Sequence, residues 1–123
     1  MMEFYKLHKG KGRTSVSLTA YNLGSELVVS LYNENAHIGA VAVGEYDTEH
    51  GRVSVSLITR FGHKDDVIAQ RGAYRISKAI QKTSCVVAGI HLDNITLAEI
   101  KRLVINANLA ISKLLKILAS ERF

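Results

Sequence analysis

Four short stretches of this chain gather the side chains that could do chemistry. His8-Lys9-Gly10-Lys11-Gly12-Arg13 is a glycine-punctuated basic run, and His37-Ile38-Gly39 carries one imidazole. Gly62-His63-Lys64-Asp65-Asp66 mixes an imidazole, a cation and two carboxylates, and His91-Leu92-Asp93-Asn94 adds a third imidazole with a carboxylate and an amide. Three neutral imidazoles with a carboxylate make a set that zinc or iron accepts. No two of these histidines stand on one element at ligand spacing, so a metal would depend wholly on how the chain folds. No serine lies on a glycine-flanked strand-to-helix elbow, which argues against a hydrolytic triad. The basic run has the wrong spacing for a Walker A loop and leads into a strand. Helix N-termini with Lys64, Lys11 or Arg13 suit a phosphate, and His37, His63 and Asn94 suit the polar edge of a ring. Tyr21, Tyr32 and Tyr74 are candidates for stacking on such a ring, with core or interface packing as the alternative.

The elements that must position these residues follow from periodicity. Alternation in Thr14 to Tyr21, Leu27 to Tyr32 and Val53 to Ile58 predicts three half-buried strands, with a fourth from His37 to Tyr46 bulged at Gly39 or Gly44. Glu3 to Leu7 adds an edge strand, and the short turn-rich connections predict an antiparallel meander. The period then changes. Val67, Ile68, Ala69, Ala73, Ile76, Ala79 and Ile80 predict a helix over about Lys64 to Lys82, and Thr83 to Leu92 a short apolar strand. Thr96 with Glu99 forms a capping box for a second helix running to about Ser120. The expected class is α+β: a four- to five-stranded meander, then helix-strand-helix, with both helices on one sheet face.

Strand direction alone brings the four stretches together. In an up-and-down meander Arg13, Tyr32, His37 and Phe61 share one end. A helix then returns the chain, and a strand parallel to the fourth must finish at that end too, delivering His91, Asp93 and Asn94. Both helices also begin there and turn the positive ends of their dipoles to it. The opposite end holds ordinary turns, and His50 among them is assigned to solvent.

Composition sets the outer bounds. The chain has 123 residues, 47% hydrophobic and 22% charged, which fits one folded domain over 1–123 rather than a disordered chain. Its single cysteine, Cys85, lies in the apolar run Cys85-Val86-Val87-Ala88, where a core thiol is expected. There is no apolar leader and no uninterrupted apolar run of roughly 18 residues, so a soluble, cytoplasmic protein is the expectation. The net charge of +5 is friendly to anions, but no zinc-finger spacing, RNP-type aromatic pair or basic run interleaved with aromatics points to nucleic acid. Arg71, Arg75, Lys78 and Lys82 recur at helical spacing and read as a solvated face. The second helix has one apolar stripe through Leu103, Ala107 and Leu114 and another through Ile105, Leu109 and Ile117. That width implies deep packing or a homodimer interface.

The order of His37-Ile38-Gly39-Ala40-Val41, Gly62-His63-Lys64-Asp65-Asp66 and Gly89-Ile90-His91-Leu92-Asp93-Asn94 resembles the LpdD-type proteins. These are small D subunits that accompany gallate decarboxylase-like enzymes of the UbiD class. The resemblance spans roughly residues 24 to 104. It implies a chaperone or carrier for prenylated FMN (or FMN), a binding role rather than catalysis, with no residue assigned to catalysis or to a metal. By the same resemblance His37, His63, Lys64, Asp65, Asp66, His91, Asp93 and Asn94 would line the cofactor site, with Gly39 and Gly62 in the same segments. A UbiD-like decarboxylase and a flavin prenyltransferase would be the partners, and the fold would be akin to proteasome-assembly-chaperone subunits, which pair as dimers. Lys11 and Arg13 lie outside these motifs, so their use for phosphate is read from the residues alone. Two other readings stay open: a metal-dependent enzyme using His37, His63 and His91, and an assembly or scaffold dimer without a small-molecule ligand.

Overall fold

The computed structural model describes residues 4–60 and 65–121. Six strands form one sheet: β1 (Phe4–Lys9), β2 (Val16–Leu23), β3 (Glu26–Tyr32), β4 (Ala40–Asp47), β5 (Arg52–Thr59) and β6 (Ser84–Gly89). Two helices, α1 (Asp66–Ile80) and α2 (Leu97–Ser120), cover it. The class is α+β, as expected.

The strand order is β1-β2-β3-β6-β4-β5. The first three strands form an antiparallel meander and β4 pairs with β5, but β6 lies between β3 and β4, parallel to the former and antiparallel to the latter. The expected four-strand meander is therefore split. The physical reason lies in β6, which is apolar on both faces, with Cys85 and Val87 on one and Val86 and Ala88 on the other. A strand of that kind gains most with a neighbour on each side. The β3–β4 connection consequently passes across the end of β6. A Cβ on Gly89 would stand 2.1 Å from the His37 carbonyl oxygen, so this crossing requires a residue without a side chain. Gly39 N–H then donates to Ala88 O at 2.9 Å and Arg60 N–H to Gly39 O at 3.0 Å, tying the crossing to both neighbouring strands.

One face of the sheet is buried. Val16, Leu18 and Ala20 of β2, Leu27, Val29 and Leu31 of β3, Ala40 and Ala42 of β4, and Val86 and Ala88 of β6 point to the helices. Helix α1 packs on β4, β5 and β6, and α2 on β1 and β2. Small residues set how near α1 comes: a Cβ on Gly44 would lie 2.7 Å from Ala73 O and from Ser77 Oγ. Ser77 and Ser84 satisfy each other there at 2.7 Å, and Ser77 also donates to Gly44 O. Ile76, Ile111 and Leu114 are fully buried in the shared core, each stabilising it by about 1.5–3 kcal/mol.

By length and apolar composition α2 could cross a membrane, but here its Leu103, Ala107, Ala110, Ile111 and Leu114 face is packed into the core. Asn106, on the same buried side, donates to Thr14 O at 2.8 Å. The capping box at its start is formed as expected: Glu99 N–H donates to Thr96 Oγ1 and Thr96 N–H to Glu99 Oε1. The second stripe is divided: Ile105 and Leu109 are each 47% exposed, while Ile117 is half-buried against the core.

Among the described residues no helix covers the other sheet face. Cys85 belongs to it and is half-buried rather than a core residue. Strand alternation puts Ser84, Val86 and Ala88 inward, which leaves Cys85 on the open side, and partial burial raises its thiol above the ordinary range.

Candidate functional site

The direction argument survives the change in strand order. Strand β5 runs parallel to β6 although β4 separates them, so Lys9, Val16, Tyr32, Ala40, Thr59 and Gly89 all stand at one end of the sheet. The segments of interest are the loops that leave that end.

His37 and His91 meet there, with ring centroids 5.3 Å apart and planes tilted by 45°. His91 Nε2 pairs with Asp93 Oδ1 at 3.0 Å on the solvent side. The backbone of His91 is held from below by Asn33, which donates through Nδ2 to His91 O at 2.8 Å and accepts from His91 N–H at 3.1 Å. Only 9% of Asn33 is exposed. This two-point clamp sets where the imidazole pair stands. Read in sequence, Asn33 is one of several polar residues in a turn.

Asp65 is 6% exposed and lies at the start of α1, where Oδ1 accepts from Ile90 N–H at 3.3 Å. A Cβ on Gly39 would be 1.8 Å from its Oδ2, so Gly39 is glycine because the β4 entry rests against this carboxylate. Asp66 sits in the first turn of α1, half-buried. Asn94 has φ of 52°, the left-handed region that asparagine tolerates better than most residues. That turn accounts for its residue type without a ligand. Gly62, His63 and Lys64 lie outside the described residues.

The basic run reaches this end through Arg13. Its Nε donates to Glu99 Oε2 at 2.7 Å and its Nη2 to Asp93 O at 2.8 Å. Arg13 and the Thr96 cap together hold the Glu99 carboxyl at about 2, well below its usual 4.5, and the pairing raises Arg13 in turn. Arg13 is thus a clasp between the basic run and the start of α2. Both helix starts are also supplied with carboxylates of this chain, Asp65 and Asp66 at α1 and Glu99 at α2, which answer the dipoles that were expected to face an anion. Lys11 is exposed and Lys9 half-buried, and neither forms an ion pair among the described residues.

Between the helix starts, behind the His91–Asp93 loop, opens a cleft of about 340 Å³. Its walls are aliphatic, with Ile68 and Leu103 at depth and Val67, Ile95 and Ile100 at the mouth; Asp65 and His91 supply its polar groups. Leu92 lines this cleft and also a smaller polar hollow formed by Arg13, Asn33 and Glu34. Periodicity marked these aliphatic residues as core. Nothing in the spacing says that two helix starts diverge and leave them partly uncovered.

Of the tyrosines, Tyr32 borders the convergent end, in a groove shared with His37 and Ile38 on the open sheet face. Tyr21 and Tyr74 are exposed elsewhere. Among the described residues one group of acids and histidine has ligand atoms close enough for a metal, Asp47, Glu49 and His50. It lies at the opposite end, where Asp47 already accepts from the Glu49 and His50 N–H groups and pairs with the His50 ring at 2.7 Å. His50 is exposed, as expected, and also clasps this turn. His37, His91 and Asp93 do not form such a group.

A solved structure described as a novel chaperone complex for yeast 20S proteasome assembly contains a chain similar to this one in fold. The TM-score is 0.62 at 15% identity, over 98% of each chain. No curated protein matches the chain in sequence. Residues 10–119 match the family described as the prenylated flavin chaperone LpdD-like domain. That match takes in every described residue of the convergent end except His8 and Lys9, and the chain belongs to this family of prenylated flavin chaperone LpdD-like domains.

Proposed function

We propose that this chain binds prenylated FMN at the convergent end of its sheet and passes it to a UbiD-like decarboxylase, acting as a carrier without chemistry of its own. The observation that carries this reading is His91, in ring contact with His37, lining an aliphatic cleft. A flavin presents a flat ring with a polar edge, and prenylation adds hydrocarbon to it. Imidazoles and Asn33-positioned backbone beside an apolar wall fit both parts by their chemistry. Among the described residues of the basic run, Lys9 and Lys11 are left for the phosphate, since Arg13 is engaged by Glu99. Among the described residues of this end none is arranged as a nucleophile with its base, and the reading is accordingly of carriage. When bound, the flavin would supply the redox and ring chemistry of the enzyme that receives it, and this chain would hold and orient it.

The reading includes a homodimer. Its support is the open sheet face, where Val28, Val41, Val43, Val87 and Ile58 alternate with serine and threonine and few charges. The helices, by contrast, carry Arg71, Arg75, Lys78, Lys101, Arg102, Lys113 and Lys116 against Asp66 and Glu99. Two such surfaces repel each other, so the sheet, not the outer stripe of α2, is where a second copy would pack. Co-expression with a flavin prenyltransferase tests the carrier. A coloured complex releasing prenylated FMN is expected, and a colourless protein that fails to retain added cofactor would refute it. Light scattering of wild type and of Val43→Glu tests the dimer: loss of a dimer in the variant is expected, and a monomeric wild type would overturn it.

A further inference from the structure

The cleft between the helix starts is poorly matched to a phosphate and well matched to hydrocarbon. Its one carboxylate, Asp65, would repel an anion, and apart from His91 its remaining surface is aliphatic. Val67 and Ile100, at its mouth, are 56% and 42% exposed. Aliphatic side chains left this open gather free energy when a ligand covers them, roughly in proportion to the area removed from water. The cleft is also built rather than incidental. Asn33 fixes the backbone at His91, the Asp65 carboxylate ties α1 to Ile90, and Arg13 ties the Asp93 carbonyl to Glu99 at the first turn of α2. These three ties keep both walls in place with no ligand present, so little ordering is required on binding.

We propose that this cleft is the subsite for the isoprenoid-derived part of the flavin, and that it lets the chain distinguish prenylated from unmodified FMN. The inference rests on the flavin reading above and adds to it where the added carbons go. A hydrophobic pocket gains about 10- to 200-fold in affinity for each methylene it accepts well. Even a partial fit of a branched isoprenoid therefore implies a preference on the order of a hundredfold. His91 at the rim and its neighbour His37 would meet both flavins alike and contribute nothing to that ratio.

The test is an anaerobic titration of the full chain, followed by flavin absorbance and fluorescence, with FMN and with prenylated FMN made by a flavin prenyltransferase. Wild type should prefer the prenylated form by about a hundredfold. Val104→Phe, which fills the cleft, should bring the two affinities to within about threefold of each other. Ile100→Glu, at a half-exposed site that tolerates charge, should do the same if Val104→Phe fails to fold. Equal affinities in wild type, or a preference that survives in a folded cleft variant, would overturn the subsite and leave the carrier intact. Failure of wild type to bind either flavin would overturn the carrier reading, and the subsite with it.

Discussion

Asn33→Ala should detach the His91 loop from the sheet, at a cost that follows from its two hydrogen bonds. The Nδ2 group donates to His91 O at 2.8 Å and Oδ1 accepts from His91 N–H at 3.1 Å. Both backbone partners are half-buried, so on truncation each is left poorly hydrated rather than fully orphaned. An unsatisfied group costs about 1–3 kcal/mol when buried, and the partial access of water places this pair near the lower end. About 2–3 kcal/mol in total is expected. For a domain of this size that corresponds to a fall of about 6–15 °C in Tm, or a shift of about 1.5 M in urea midpoint with an unchanged slope. Exchange of the His91 amide should accelerate with it.

Asn33→Asp separates the clamp from simple packing. The carboxylate keeps the acceptor for His91 N–H but turns a second oxygen toward the His91 carbonyl. It should be as unstable as the alanine variant at neutral pH. Its carboxyl is then raised in the folded state, so stability is regained as pH falls and protonation restores a donor. A loss below about 0.5 kcal/mol in Asn33→Ala, or an Asn33→Asp variant indifferent to pH, would refute the view that this residue positions His91.

The same ties make further outcomes predictable. Gly39→Ala would press a Cβ to 1.8 Å from Asp65 Oδ2 and should cost about 1–3 kcal/mol or more in urea unfolding, partly relieved when Asp65→Ala is added. Glu99 is held at about 2 against its usual 4.5, so its contribution is complete above about pH 4.5 and lost as pH falls toward 2. Acid melting of wild type should accordingly be steeper across that window than that of Arg13→Met, and parallel curves would count against the clasp. Tyr5 donates to Glu121 Oε2 at 2.6 Å, and burial with the nearby carboxylate pushes the phenol to about 12. That contribution is present below about pH 10 and fades as pH rises through 12, a decline that Tyr5→Phe should not show in alkaline melting.

Much of the fold is legible in residue patterns because each pattern reports a local constraint. Alternation in β2 and β3 and the spacing of apolar residues in α1 and α2 reflect one buried face each, and Thr96 with Glu99 marks a helix start that forms as expected. Strand order is a different kind of fact. Short turns suggested that β4 follows β3 in space, yet β6 intervenes, and the deciding term is global: the strand that is apolar on both faces takes a place between two neighbours. The signal was present in Cys85-Val86-Val87-Ala88, an uninterrupted run where β2 and β5 alternate with serine and threonine; β4, with Ala40-Val41-Ala42-Val43, is likewise apolar on both faces and likewise lies between two neighbours. Cys85 shows the converse limit. An apolar neighbourhood in sequence suggested a core thiol, while the parity of the strand turns it to the open face.

The convergent end was legible for a reason that adjacency does not disturb. Whether a loop leaves one end of a sheet or the other depends on strand direction alone, and inserting β6 changes neighbours without reversing any strand. Roles within that end depend on pairing, which spacing does not report. Arg13 looked like a phosphate cation and is instead paired with Glu99, and the helix dipoles are met by Asp65, Asp66 and Glu99. Much of the charge that seemed available for an anion is therefore balanced within the chain. What remains unbalanced is aliphatic surface between two helix starts, held open by polar ties on either side. A carrier built this way would draw its affinity from hydrocarbon burial and its orientation from the imidazole rim. Such a site would hold a modified flavin in preference to the anionic cofactors whose phosphates it would otherwise share.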